Sequence, residues 1–119
     1  MNAGAEEIEM KFVHPIRWLA AGIVFMIIGV PSILGIIPPN PTTGFRTHKT
    51  LSDEGIWYAA NRVMGYDLLI AGAVIVVAAV VTAKVFRSDP RRATRINFLV
   101  FIAALGAALL HGYWALSRM

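Results

Sequence analysis

Three apolar stretches without charge divide the chain. No charged residue falls between Arg17 and Arg46, between Asp67 and Lys84, or between Arg95 and Arg118. A helix needs roughly 20 mainly apolar residues to cross the hydrocarbon core of a bilayer. Each gap therefore predicts a span, at about residues 18–37, 64–86 and 96–114. The second has the shortest uncharged stretch, Leu68 to Ala83. Val63 to Tyr66 can extend it at one end. Lys84 can snorkel at the other, leaving Val85 and Phe86 in the core. A soluble three-helix bundle would show a polar face on each helix, and the run from Ala71 to Val81 has none. The pattern predicts an all-α membrane protein. It has three transmembrane helices, with a polar, proline-rich loop and a short interfacial helix between the first and second. Residues 1–119 are read as a single membrane domain.

Local signals refine these elements. Pro31 lies inside the first span and predicts a kink, with Ser32 nearby to satisfy freed backbone groups. Pro38, Pro39 and Pro41 cannot donate a helical amide, so the helix must end there. Thr50 or Ser52 can cap a new helix, and Asp53 and Glu54 suit its positive end. A helix from Asp53 to Phe86 would be about 50 Å long at 1.5 Å per residue. It must start at the interface or bend near Gly65. On it Trp57, Asn61 and Gly65 share one face at steps of four. Small residues recur at steps of seven (Gly22 and Gly29; Gly65, Gly72 and Ala79) and of four (Ala104, Ala108 and Gly112). Such residues let helix backbones approach in lipid. Packing among the three helices is the plainer reading, and a surface for another subunit the sharper one.

Composition agrees with a membrane protein. Of 119 residues 57% are hydrophobic, and the mean hydropathy is +0.64. Charged residues make up 15%, against about 25% in a soluble domain. The first residues are acidic (Glu6, Glu7, Glu9), where a cleavable signal needs a basic start, so the first span is expected to stay as an anchor. Without cysteine there is no disulfide, thiolate metal site or thiol nucleophile. The net charge of +4 fits topology and attraction to lipid, not nucleic acid. Lys11, Arg17, Lys84, Arg87, Arg91, Arg92 and Arg95 lie on one side of the predicted membrane. Arg46, Lys49, Arg62 and Arg118 lie on the other. Cytoplasmic flanks collect Lys and Arg, so the N-terminus is expected inside the cell.

One polar segment, Asn40 to Gly65, is too rich in Arg, Asn, Trp and Gly at set offsets to be a plain connector. Its ordered set is Asn40, Gly44-Phe45-Arg46-Thr47, Thr50-Leu51-Ser52, Trp57, Asn61-Arg62 and Gly65. This set resembles the signature of the SdpI family of small integral membrane proteins. His48 stands where that family usually has proline, and the longer members carry extra spans ahead of this unit. The resemblance implies the three-span arrangement and a protein that is not an enzyme, in the bacterial cytoplasmic (inner) membrane. The name-giving member protects its producer against a secreted toxic peptide and relays a signal by holding a repressor at the membrane. Immunity or signalling is thus one expectation. An accessory subunit of a larger membrane complex is the alternative.

The candidate chemistry is weighed against structural roles. Asn40, Gly44, Arg46, Thr47, Trp57, Asn61, Arg62 and Gly65 form the binding or structural signature. Arg46 and Arg62 could bind lipid headgroups or the acidic parts of a peptide. A guanidinium can equally staple a loop through several carbonyls, and Arg46 is expected to bridge the Gly44–Thr50 turn to the Trp57–Arg62 helix. Asp67 is the carboxylate closest to the hydrocarbon and a suspect on that ground. With Arg46 and Arg62 it makes the weak case for a lipid-modifying enzyme or carrier. His14, His48 and His111 show no metal-ligand spacing, so neither metal nor cofactor is expected, although His48 and His111 are placed to approach one another. The basic loop of Lys84, Arg87, Arg91, Arg92 and Arg95 can face anionic lipid, at about 1 kcal/mol per residue, or simply fix topology. Expected partners are membrane lipids, a peptide or another membrane subunit, and no nucleic acid.

Overall fold

The computed structural model describes residues 3–119. Met1, Asn2 and the side chains of residues 6–14, those of Lys11 and His14 among them, lie outside the described residues. The described residues form four helices: α1 (Ala3–Leu34), α2 (His48–Ser52), α3 (Glu54–Val85) and α4 (Pro90–Ser117). Three stretches are long and apolar enough to cross a membrane, Pro15–Leu34, Glu54–Val85 and Pro90–Ser117. Together they make an elongated all-helical body, 56 × 22 × 21 Å.

Local chemistry sets the ends. α1 runs through both Pro15 and Pro31 and stops at Gly35. There Ile36 N–H donates to Pro31 O and Gly35 N–H to Ser32 O, each at 3.3 Å, with Gly35 at φ +69°. This is the paired-bond terminus that a left-handed glycine allows. α2 is capped by Thr47, while Thr50 and Ser52, expected to cap the helix from Asp53, lie inside α2 and Asp53 takes that role. Thr50 instead closes the reciprocal box: its N–H donates to Thr47 Oγ1 and its own hydroxyl accepts from Thr47 N–H. Asp53 caps α3 through Ile56 N–H, and Asp89 caps α4 through Arg92 N–H, with Pro90 in the first turn.

α3 is one continuous helix of 32 residues, about 48 Å long against a hydrocarbon core of about 30 Å. It begins at the start expected for a helix from Asp53 to Phe86, ten residues ahead of the span at 64, with Asp53 as its cap. Arg62 Nε reaches Ile33 O at 3.2 Å, so α1 ends level with Arg62. The first turns of α3 rise past that end, and the loop of residues 35–47 folds against them.

α3 is the central helix, packed chiefly on α1 and next on α4, while α1 and α4 touch little. The glycines spaced by seven explain the first contact. A Cβ on Gly29 would lie 2.6 Å from Gly65 O, and one on Gly22 would lie 2.7 Å from Gly72 O. The reciprocal distances are 2.7 and 2.5 Å. The two backbones therefore cross antiparallel in direct contact. On the other flank Gly112 takes the end of Met64. At the far end of the pair Asn97 Nδ2 donates to Thr82 Oγ1 at 2.7 Å and to Ala93 O at 2.9 Å. A buried polar link between helices is worth about 0.6–2 kcal/mol in lipid.

Candidate functional site

The polar segment folds into an ordered cap over the end of the α1–α3 pair, and most of it is held by side chain to backbone bonds. Asn40 organises the proline-rich turn on its own. Its Oδ1 accepts the N–H groups of Thr42 and Thr43 at 3.0 and 2.7 Å and both of their hydroxyls, and its Nδ2 donates to Pro38 O at 2.8 Å. Asparagine suits this work because its short amide mimics a backbone turn. Gly44 follows at φ +100°, a conformation costly for any residue with a Cβ. A Cβ there would also meet Asn61 Oδ1 at 2.8 Å and the Trp57 ring at 3.0 Å.

The anchor of the cap is the Trp57–Asn61 face of α3. Trp57 is fully buried and its indole N–H donates to Ile37 O at 2.9 Å. Asn61 is 5% exposed. Its Oδ1 accepts Phe45 N–H at 2.7 Å, and its Nδ2 donates to Trp57 O at 2.9 Å and to Phe45 O at 3.4 Å. The buried Thr50 hydroxyl adds a bond to Phe45 O at 3.0 Å. Phe45 itself meets Tyr113 of α4 edge-on, with ring centroids 5.1 Å apart. Lys49 Nζ donates to Leu116 O at 2.8 Å, which ties α2 to the last turn of α4. The cap thus touches all three spans.

The two arginines divide differently from the sequence expectation. Arg62 ties α3 to the end of α1 through Ile33 O. Arg46 donates to Pro41 O, within the loop. The bridge to α3 expected of Arg46 is made by Asn61, whose amide both accepts and donates and so can hold the N–H and the C=O of Phe45 together. Gly65 lies one turn beyond Asn61, where it serves the contact with α1. Most of the signature residues therefore meet around the loop, and Arg46, itself exposed, bonds within the loop and does not reach α3. Arg46→Lys keeps a cation that can reach Pro41 O. It is expected to cost less than about 1 kcal/mol, whereas Asn61→Leu, which orphans Phe45 N–H, should cost about 2–3 kcal/mol. Thermal unfolding of both variants in mild detergent checks the order.

A second polar group stands apart from the cap. His111 Nδ1 lies 2.9 Å from both carboxylate oxygens of Asp67. It is this carboxylate, not His48, that His111 meets. The His111 ring stacks on Trp114 at 5.8 Å, and the Arg118 guanidinium lies 5.1 Å over that indole. At the opposite end of the molecule Lys84, Arg87, Arg91, Arg92 and Arg95 are all exposed around the α3–α4 turn, with Arg92 over the Phe86 ring at 5.1 Å.

Comparison with protein families matches the profile described as the SdpI/YfhL protein family to residues 36–113. The matched stretch starts just after α1 and takes in the cap, α2, α3 and most of α4. No curated protein and no solved structure matches the chain.

Proposed function

The chain belongs to the SdpI/YfhL protein family, whose profile covers well over half of it, and we propose that it acts without catalysis, in toxin immunity or signalling, in a bacterial cytoplasmic membrane. The observation that carries this reading is how the signature residues are used. Asn40, Trp57, Asn61 and Arg62 direct their donors to backbone carbonyls at 2.8–3.4 Å. Groups committed in this way build a rigid surface for a partner and hold no reacting group. The partner is a peptide, or another membrane protein, met at the cap. The test is survival. Cells sensitive to a membrane-active peptide toxin should gain resistance when they make this protein, and lose it when Gly44→Val disorders the cap. Equal killing with and without the protein, across a panel of such toxins, would remove immunity from the reading.

A second role is favoured by a separate observation. Only 17%, 28% and 17% of the most apolar windows of the three spans are buried within the chain. Small residues such as Ala103, Gly106 and Ala107 lie on α4, and a Cβ on Gly106 would meet nothing within 4 Å. These faces fit an accessory subunit that packs against a larger complex. Copurification in mild detergent separates the two, because a subunit brings a stoichiometric companion.

On this reading the N-terminus lies in the cytoplasm and the cap outside. Support comes from the seven-to-four distribution of Lys and Arg, now with Arg62 engaged by Ile33 O and Lys49 by Leu116 O. A reporter fused after Met119 that works only in the cytoplasm should stay silent. A cytoplasmic signal reverses the orientation.

A further inference from the structure

The Asp67–His111 pair sits at one end of a groove of about 540 Å³ between α3 and α4. Its walls are otherwise apolar, with Ala71 and Val74 on α3 and Ala104 and Ala108 on α4. From Asp67 to Val74 on α3 and from His111 back to Val100 on α4, it extends about 10–16 Å along the helices. Small-molecule sites have this volume and this make-up, a mainly apolar wall with a few convergent polar groups. Alanines keep the groove open where larger side chains would fill it.

The polar end decides which head such a ligand carries. His111 Nδ1 meets the carboxylate from one side, 2.9 Å from each oxygen. Among the described residues no other charged group faces it. α1 has none between Arg17 and its end at Leu34, and α4 has none between Arg95 and Arg118. On α3 the nearest is Arg62, which is turned to Ile33 O. Arg118 lies over the indole of Trp114. The Asp67 side chain is only 12% exposed, and a carboxylate accepts at more sites than one N–H occupies. A mostly buried carboxylate with acceptor sites left over favours a cationic donor.

We propose that this groove binds a single-chain amphiphile with a primary ammonium head, the head on Asp67 and the hydrocarbon chain along the alanines of α3 and α4. The site is separate from the cap and goes beyond the immunity or signalling role. Its direction is right for a molecule in one leaflet, because the polar end lies toward the cap and the apolar end toward the middle of the spans.

The test uses the full chain in nanodiscs of phosphatidylcholine and follows tryptophan fluorescence, since Trp114 stacks on His111. Three probes share one chain: dodecylammonium, dodecanol and dodecyl sulfate. The amine should bind saturably and at least tenfold more tightly than the alcohol, and the sulfate should show no saturable binding. Asp67→Asn should bring the amine down to the level of the alcohol, and Asp67→Glu should restore part of the difference. The signal should vanish in Trp114→Phe. Helical content by circular dichroism shows whether each variant is folded, and the comparison of probes on the unaltered chain needs no variant. Equal affinity for amine and alcohol overturns the proposal. So does preference for the sulfate, which marks a doubly protonated imidazole and an anion site. So does a crosslinked dimer through the groove that excludes the amine, which makes a second copy the occupant.

Discussion

Gly65→Leu is expected to break the α1–α3 contact and remove most of the protease resistance of the protein in detergent. At Gly65 a Cβ alone would lie 2.7 Å from Gly29 O and 2.9 Å from Ile33 Cγ1. The first of these neighbours is backbone and cannot turn aside as a flexible side chain would. The helices must separate, and they then lose close packing along their whole length. Packing is what holds helices together in lipid, where burial away from water gives no net drive between them. The next crossing, Gly22 with Gly72, is built the same way, so separation at one glycine strains the other. Overpacking commonly costs about 1–3 kcal/mol and more where backbone must move. The upper end of that range is expected here, and a similar loss for Gly72→Leu. Gly106→Leu is the control. It adds the same side chain to a span, but a Cβ there meets nothing within 4 Å, so its unfolding temperature should stay close to that of the unaltered chain. Equal losses at Gly65 and Gly106 would show that the glycines matter for something other than this contact.

The glycine spacing was legible in the sequence, but the pairing was not. Steps of seven mark small residues on one face of α1 and one face of α3. Nothing local says that Gly29 meets Gly65, thirty-six positions away, and not its counterpart in another chain. The spans were legible for a stronger reason. A charge in hydrocarbon is costly, so the absence of charge over 16 residues or more is a direct record of the solvent. Helix ends are set by single hydrogen bonds and were read less well. Thr50 looked like a cap for the helix from Asp53 because it is a threonine before an acidic helix start, while in the structure Asp53 caps that helix and Thr50 answers Thr47 in the box of α2. Arg46 drew attention through its charge, yet the clamp between loop and helix is the neutral amide of Asn61 across sixteen residues. Asp67 and His111 were both suspect singly, but they are forty-four residues apart, and no spacing rule covers that. Asn97 was passed over altogether. A lone asparagine in an apolar span is a signal in itself, and it does mark the polar link to Thr82.

Trp57→Ala should be the most damaging single change in the cap. The ring has no exposed surface, and it forms the floor on which Gly44 rests. Truncating a buried Trp to Ala costs about 3–5 kcal/mol through lost contacts and the cavity left behind. The lost indole N–H also leaves Ile37 O without its donor. Trp57→Phe separates the two effects. It keeps much of the ring but not the N–H, so its loss should be about 1–3 kcal/mol, the cost of an orphaned buried acceptor. Because the cap also reaches α4 through Lys49 and Leu116 O and through Phe45 and Tyr113, the damage should not stay local. Limited proteolysis should cut Trp57→Ala between Thr42 and Thr50, a stretch expected to resist cleavage in the unaltered chain, and the unfolding temperature should fall with it. Cleavage in that loop with no change in unfolding temperature would mean that the cap rides on the three helices without bracing them. In that case the Asn40–Gly65 signature would have to be explained by what it binds, because it would no longer be explained by what it holds together.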